Sequence, residues 1–460
     1  MERVKQESCK VLMFPWLAHG HIFPYLELAK RLSTTHHFSM YLCSTTVNLD
    51  SIKSSIFSED DAAASVKLVE LHMPSLPHLP PHLHTTRNLP SHLIPTLMKT
   101  FQESSSSFSD IMDSLKPDLV IFDVYQPWAP KIASSKGVPC VHFSTPGAMA
   151  LSFLHHMYTV GSGATFPFPA ISLPDNDLPR QLALLGQNLK DADDEFAYGA
   201  MARSTDIVLL KSSKHVEEKY ADYLSPLIKK KIVCTGPLIA ADANKHDDSE
   251  IMTWLNGKNL DSTIYISFGS ECFLSKMQIA EIAKGLQLCD FNFLWVIRFP
   301  AEEEAGTGIK LIEELLPVGF LEKVKERGLV VTRWAPQKKI LGHPSIGGFV
   351  SHCGMSSIME SMYFGVPVIA MPMNIDQPMN AQLVVELGVG VEVEKDRENG
   401  VYVGEEVAKA INKVMVEKNA LYEGLRSRAR RLSETMREKE DEEVNEVAQQ
   451  LLKICVKNKK

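Results

Sequence analysis

Residues 10–32 read KVLMFPWLAHGHIFPYLELAKRL. The opening run, Lys10-Val11-Leu12-Met13-Phe14-Pro15, is short, apolar and closed by proline, which predicts a strand buried on both faces. After a loop, Tyr25, Leu28, Ala29 and Leu32 recur at the i, i+3, i+4, i+7 spacing of an amphipathic helix. A second strand follows at Met40-Tyr41-Leu42-Cys43, and further apolar runs stand at Leu119–Phe122, Cys140–Phe143 and Ile207–Leu210. Strands that are hydrophobic throughout, alternating with helical patterns, predict a parallel sheet covered on both sides.

The pattern breaks near Thr235-Gly236-Pro237, and residues 241–250 form a polar stretch. It then restarts, with strands expected at Ile264–Phe268, Phe293–Ile297, Leu329–Thr332, Gly348–Ser351, Val368–Met371 and Val391–Val393. From about Lys418 to Cys455 the chain is charged and helical, with Leu425, Ala429, Leu432 and Met436 on one stripe. At 460 residues the chain is too long for one core. The reading is an α/β protein with two Rossmann-like domains facing a cleft. The N-terminal domain covers 1–238, a linker 239–250 and the C-terminal domain 251–440, and a helix over 441–460 packs back toward the first domain.

Composition narrows the function. Lys and Arg number 48 against 56 Asp and Glu, a net charge of −8, so nothing draws the chain generally to nucleic acid or anionic membranes. Any anionic ligand must be caught locally, by helix ends and a few placed donors. The eight cysteines are scattered with no C-x-x-C pair and sit mostly in apolar runs, which predicts reduced, buried thiols. The N-terminus is too charged for the apolar part of a signal peptide, and no apolar run approaches the roughly 20 residues of a membrane span. A cytosolic, monomeric enzyme is expected. The Pro- and His-rich segment 76–93, with His82, His84 and His92, lacks a third ligand type at fixed spacing and reads as a surface loop rather than a metal site.

Residues 334–377 carry the most chemistry: WAPQKKILGHPSIGGFVSHCGMSSIMESMYFGVPVIAMPMNIDQ. A strand ends at His352, a tight Cys353-Gly354 turn follows, and a helix begins near Ser356 or Ser357. Glycine there lets the backbone approach a ligand, and free N–H groups at a helix start suit a phosphate. His352 and the Ser357 hydroxyl can donate to the same diphosphate. Glu360 lies one turn on, suited to ribose hydroxyls, and Trp334 can stack on a base. Each residue also has a structural reading: Ser357 to Glu360 fits a capping box, Trp334 a core anchor, and His352 a buried histidine.

Together the stretch resembles the signature of plant UDP-dependent secondary-product glycosyltransferases, matching at Trp334, Gln337, His352, Gly354, Ser357, Glu360, Pro372, Asp376 and Gln377. The resemblance extends over the whole chain, including Ser267-Phe268-Gly269-Ser270 and the Trp295–Arg298 strand. It implies the GT-B fold, with the donor held by the C-terminal domain. Trp334 and Ala335 would meet uracil, and Gln337 and Glu360 the ribose. His352, Gly354, Ser356, Ser357, Gly269 and Ser270 would surround the diphosphate, and Asp376 and Gln377 the sugar hydroxyls. A terminal Gln accompanies glucose donors in this family. The chain departs from the usual Trp-Asn-Ser after Cys-Gly, having Met355-Ser356-Ser357, which removes an indole expected near the sugar.

A weakly nucleophilic hydroxyl needs a base, most often a neutral histidine. His21 lies between the first strand and first helix, and Asp123 directly follows the Leu119–Phe122 strand, so both belong at the ligand-binding rim of the sheet. A carboxylate bonded to an imidazole fixes its tautomer and stabilises the imidazolium. Taken alone either residue could be structural, and His19 is a competing base. The resemblance implies His21 as base, since it directly follows Gly20, Asp123 as its partner and Thr145 near the sugar. It also implies direct displacement with inversion, the leaving charge being met by protein groups, so no metal or other cofactor is expected.

Met13–Leu32, Cys43–Leu49, Pro80–Leu93 and Asp118–Trp128 further resemble the subgroup that adds sugar onto sugar. The expected partners are a UDP-sugar donor, most simply UDP-glucose, and a terpenoid, steroidal or flavonoid glycoside. Alternatives are glucosylation of a free aglycone, a nucleotide-sugar epimerase of the same architecture, and a non-catalytic UDP-sugar sensor. A Rossmann oxidoreductase is disfavoured because no G-x-G-x-x-G follows the first strand.

Overall fold

A computed structural model describes residues 8–35, 37–56, 66–87, 89–160, 165–171, 199–239, 249–269, 272–299, 312, 314–374, 376–396, 399–416 and 420–458. The chain divides into two units: Met1–Pro167, Pro174–Asn244 and Glu438–Lys460 form the first, Phe168–Leu173 and Lys245–Arg437 the second. Each is built on its own parallel sheet. The polar stretch 241–250 read as a linker lies almost wholly outside the described residues.

Among the described residues the first sheet has β1 (Cys9–Phe14), β2 (Phe38–Ser44), β3 (Lys67–Glu70), β4 (Leu119–Phe122), β5 (Cys140–Ser144), β6 (Ile207–Leu210) and β7 (Lys231–Cys234), in the order β3-β2-β1-β4-β5-β6-β7. Every pairing is parallel. β1 shows why the run is apolar throughout. Val11 and Met13 join one core with Tyr25, Leu28, Ala29 and Leu32 of the helix His19–Ser33. Leu12 and Phe14 join another with Phe101, Phe108 and Phe122. Successive side chains point to opposite faces, and both faces are covered. Each fully buried Leu or Phe contributes about 1.5–3 kcal/mol.

The second sheet has β8 (Thr263–Ser267), β9 (Asn292–Val296), β10 (Gly328–Val331), β11 (Ile346–Ser351), β12 (Val368–Ala370) and β13 (Gly390–Glu392), ordered β10-β9-β8-β11-β12-β13 and again parallel. In each sheet the strand order reverses once, between β1 and β4 and between β8 and β11. Such a switch point opens a crevice at the strand C-terminal ends, because the two outgoing chains turn away from each other. The rims of β1, β4, β8 and β11 are therefore where ligand chemistry belongs.

The final helix runs from Ala420 to Asn458 without a break at 441. Its residues from Glu438 onward belong to the first unit, where Val447, Ala448, Leu451, Ile454 and Cys455 complete the core beneath β1. This placement corrects the expectation of eight reduced thiols. Cys9 and Cys455 are joined, 446 residues apart, because the last helix returns to the start of β1. Cys43, Cys140, Cys234, Cys272, Cys289 and Cys353 are free. In the Pro- and His-rich segment, His84 is buried and its Nε2 lies 3.2 Å from the Leu79 carbonyl. Among the described residues no cluster of three His, Cys, Asp or Glu could hold a metal ion, and no helix is long and apolar enough to cross a membrane.

Candidate active site

The switch point of the first sheet gathers the expected base and its partner. Asp123 leaves the end of β4 almost fully buried, and His21 stands in the first turn of the helix after β1. Their side chains meet at 2.7 Å, His21 Nδ1 to Asp123 Oδ2. The same Oδ2 accepts the Trp16 N–H at 3.0 Å, and Oδ1 accepts the Val124 N–H at 2.7 Å. Burial would push the Asp123 carboxyl up, but the His21 ring and the hydrogen bonds from His21 and Trp16 outweigh it and hold it below its ordinary value. An ionised Asp123 accepts a hydrogen bond from Nδ1–H of His21, which leaves Nε2 as the basic nitrogen.

Thr145, expected near the sugar, also sits on this pair: its hydroxyl is 3.2 Å from His21 Nδ1. The Tyr125 ring stands edge-on to His21 with centroids 5.8 Å apart and packs against Trp16 at 4.7 Å. Gln126 donates through Nε2 to the Phe14 carbonyl, tying the loop after β4 to the end of β1. Sequence reading missed the Trp16 amide and the Tyr125 ring; only their position beside the two rims hints at a role. His19 faces elsewhere. Its Nε2 lies 3.2 Å from Ser51 Oγ, and burial, with Arg87 adding to it, lowers its pKa to about 4.

The second sheet's switch point assembles the expected donor groups. Beyond β11 the chain passes His352, then Cys353 in the left-handed region (φ 63°), then Gly354, which caps the helix Met355–Tyr363. The His352 ring lies between two glycines. A Cβ on Gly354 would come 2.6 Å from Nε2, and one on Gly269 (φ +81°) 2.9 Å from Cε1. No other residue leaves room for the ring at these two positions. Burial lowers the His352 pKa to about 4, so it is a neutral donor rather than a cation. The helix starts at Met355, slightly earlier than expected, with the N–H groups of its first turn unused within the helix.

That start also removes the capping-box reading. Ser357 is inside the helix, and Glu360 reaches Gln337 instead. Gln337 Nε2 donates to Glu360 Oε2 at 2.8 Å and to Ser357 Oγ at 3.2 Å, while Tyr265 O–H donates to Gln337 Oε1 at 3.4 Å. Buried Tyr265 was not foreseen, since on β8 it reads as one more core residue. Trp334 is no core anchor: it is 51% exposed, and its ring is available to stack. Ala335 accepts the Gln337 N–H, at 2.9 Å, and shapes that corner. Ser356 is partly exposed, and Met355 is buried.

Beyond β12, Asp376 stands at the N-cap of the helix Gln377–Glu386. Gln377 Oε1 accepts the N–H groups of Met373 and Asn374, at 3.0 and 2.8 Å, so its amide NH2 is the end left to face a ligand. Ser270 lies outside the described residues. The chain thus carries an imidazole–carboxylate pair in one unit and a set of neutral donors in the other.

Residues 198–428 match the UDP-glucoronosyl and UDP-glucosyl transferase family, and residues 7–137 match the glycosyltransferase N-terminal domain. The chain belongs to this family. It is 45% identical to UDP-glucosyltransferase 29 of Panax ginseng, over 98% of this chain and 97% of that protein. It is 43% identical to the beta-D-glucosyl crocetin beta-1,6-glucosyltransferase of Gardenia jasminoides, over 96% and 98%. The solved structure of Glycyrrhiza uralensis UGT73P12 superposes with a TM-score of 0.82 at 24% identity, covering 98% of this chain and 97% of that one. The fold is therefore GT-B, and the protein is a UDP-glycosyltransferase that takes a UDP-sugar and a small-molecule acceptor.

Proposed function

We propose that this UDP-glycosyltransferase is an inverting enzyme that moves glucose from UDP-glucose onto a sugar hydroxyl of a terpenoid, steroidal or flavonoid glycoside. The observation carrying the mechanism is the 2.7 Å contact between Nδ1 of partly exposed His21 and Oδ2 of buried Asp123. It directs the basic Nε2 outward, to take the acceptor proton as the oxygen attacks the anomeric carbon. The bond to the UDP oxygen breaks on the opposite face, giving a β-glycoside from an α-linked donor. The leaving diphosphate is met by neutral His352, the Ser357 hydroxyl and the N–H groups at the start of Met355–Tyr363. Trp334 stacks on uracil, Gln337 and Glu360 hold the ribose, and Asp376 and Gln377 hold the sugar.

The glycoside acceptor is supported by the relative from Gardenia jasminoides, whose name specifies a glucosyl acceptor. This reading also makes the enzyme monomeric, cytosolic and independent of metal. The test is mass spectrometry of products from paired aglycones and monoglycosides with UDP-glucose. Growth of monoglycosides by one hexose, with aglycones unchanged, is expected. Transfer to aglycones alone would replace the sugar acceptor with a free hydroxyl, and UDP-galactose formed without acceptor would replace the transferase with an epimerase.

A further inference from the structure

Asn380 is 1% exposed on the helix Gln377–Glu386, and its side chain joins two parts of the donor site. Nδ2 donates to the Cys353 carbonyl at 3.0 Å and to Asp376 Oδ2 at 2.9 Å. Its backbone N–H also bonds the Asp376 carbonyl, at 3.0 Å. The amide cannot be reversed, because its oxygen would then face two acceptors. In this orientation Oδ1 is buried with no hydrogen-bond partner among the described residues. An apolar side chain of similar size would fill the space without that orphan, so the feature retained at this position is the NH2 group.

Both acceptors matter. The Cys353 peptide sits in the left-handed region, with its N–H held by Ser351 Oγ at 3.1 Å. Its orientation sets where Gly354 and the first helical N–H groups point. Asp376 is the carboxylate read above as the sugar contact. We propose that Asn380 is a positioning residue that locks Asp376 in register with the Cys353–Gly354 turn, so that sugar and diphosphate of one UDP-sugar are gripped together. The inference rests on the assignment of Asp376 to the donor sugar.

The test compares UDP-glucose with UDP in wild type, Asn380→Ala, Asp376→Ala and the double variant. Asn380→Ala should raise KM for UDP-glucose about tenfold, the scale of one lost hydrogen bond to a charged group. The Kd for UDP, measured by calorimetry, should stay within about twofold, because Ser351 Oγ still holds the Cys353 N–H and with it the turn. In the Asp376→Ala background the second change should add less than about twofold, since its route is already removed. Equal weakening of UDP and UDP-glucose, or effects that multiply in the double variant, would overturn the proposal. Should Asn380→Ala fail to fold, Asn380→Leu, which fills the space without the NH2 group, takes its place; loss of UDP binding there too makes the residue structural and the proposal wrong. If Asp376→Ala leaves the KM for UDP-glucose unchanged, the assignment of Asp376 falls, and this inference with it. If Asp376→Ala raises KM and Asn380→Ala does not, the inference alone falls.

Discussion

Asp123→Asn keeps the size of the side chain and changes every hydrogen bond it makes. The carboxylate has three donors around it: His21 Nδ1 at 2.7 Å and Trp16 N–H at 3.0 Å on Oδ2, and Val124 N–H at 2.7 Å on Oδ1. An amide offers one oxygen. If that oxygen stays with His21 and Trp16, the NH2 is forced against the Val124 N–H. If it turns round, the NH2 meets His21 Nδ1, the ring proton moves to Nε2, and the outward nitrogen is no longer a base. In either case the imidazolium forms beside a neutral group. We expect kcat to fall by about 10²–10⁴, or roughly 3–5 kcal/mol of transition-state stabilisation. UDP affinity should be unchanged, because the donor groups stand on the other sheet. Asp123 is held below its ordinary 3.8, so it is ionised across any practical assay range. Its stabilising contribution is present above that value and is lost only as pH falls through the lower folded pKa. The assay is UDP release at saturating donor and glycoside acceptor, with calorimetric UDP binding as the control. A kcat within about fivefold of wild type, in a protein of normal melting temperature, would refute the pair as the catalytic unit.

His19→Ala should leave kcat within about threefold, because His19 faces Ser51 rather than Asp123; a loss of 10² or more by steady-state kinetics would promote it over His21. Glu443 is a buried carboxyl whose pKa burial pushes up to about 7, although the Lys214 N–H and Ser213 hydroxyl bond its Oε1. A raised folded pKa means the stability is full below about 4.5 and is lost as pH rises through 7. Glu443→Gln should therefore melt higher than wild type at pH 8.5, with the gap narrowing below pH 7 and closing only toward pH 4.5; a gap that does not change with pH in thermal melts would show that burial is not the cause. Activity should survive EDTA, since the diphosphate partners proposed here are protein groups. The triplets Asp175-Asn176-Asp177 and Asp191-Ala192-Asp193, outside the described residues, are the sites to suspect if chelation abolishes turnover and manganese restores it.

Most strands were legible because burial on both faces leaves a continuous apolar run, as at Leu119–Phe122 and Ile207–Leu210. The two that escaped, β3 and β7, are the edges of the first sheet. An edge strand has one neighbour and a partly exposed surface, so Lys67-Leu68-Val69-Glu70 and Lys231-Ile232-Val233-Cys234 carry charge and stay short. The donor residues were legible for a different reason. They cluster within residues 334–377, where a strand, a turn and a helix start bring them together locally.

The sequence by itself determined the class of fold, the repeat of that class in a second unit, and the identity of the groups able to do the chemistry. These depend on periodicity and on residue type, which are local properties of the chain. Tertiary structure alone decided which histidine is paired, since His19 and His21 are neighbours in sequence and only the meeting of β1 with β4 brings Asp123 to one of them. It also decided that Gln337 serves Glu360 and Ser357, that Asn380 ties Asp376 to Cys353, and that Cys9 meets Cys455. Apart from the Asp376–Asn380 pair, four residues apart on one helix, each of these contacts spans residues that no pattern of spacing relates. A parallel sheet sets its neighbours by crossover connections of many residues, so which loops share a switch point is fixed only when the strands pack.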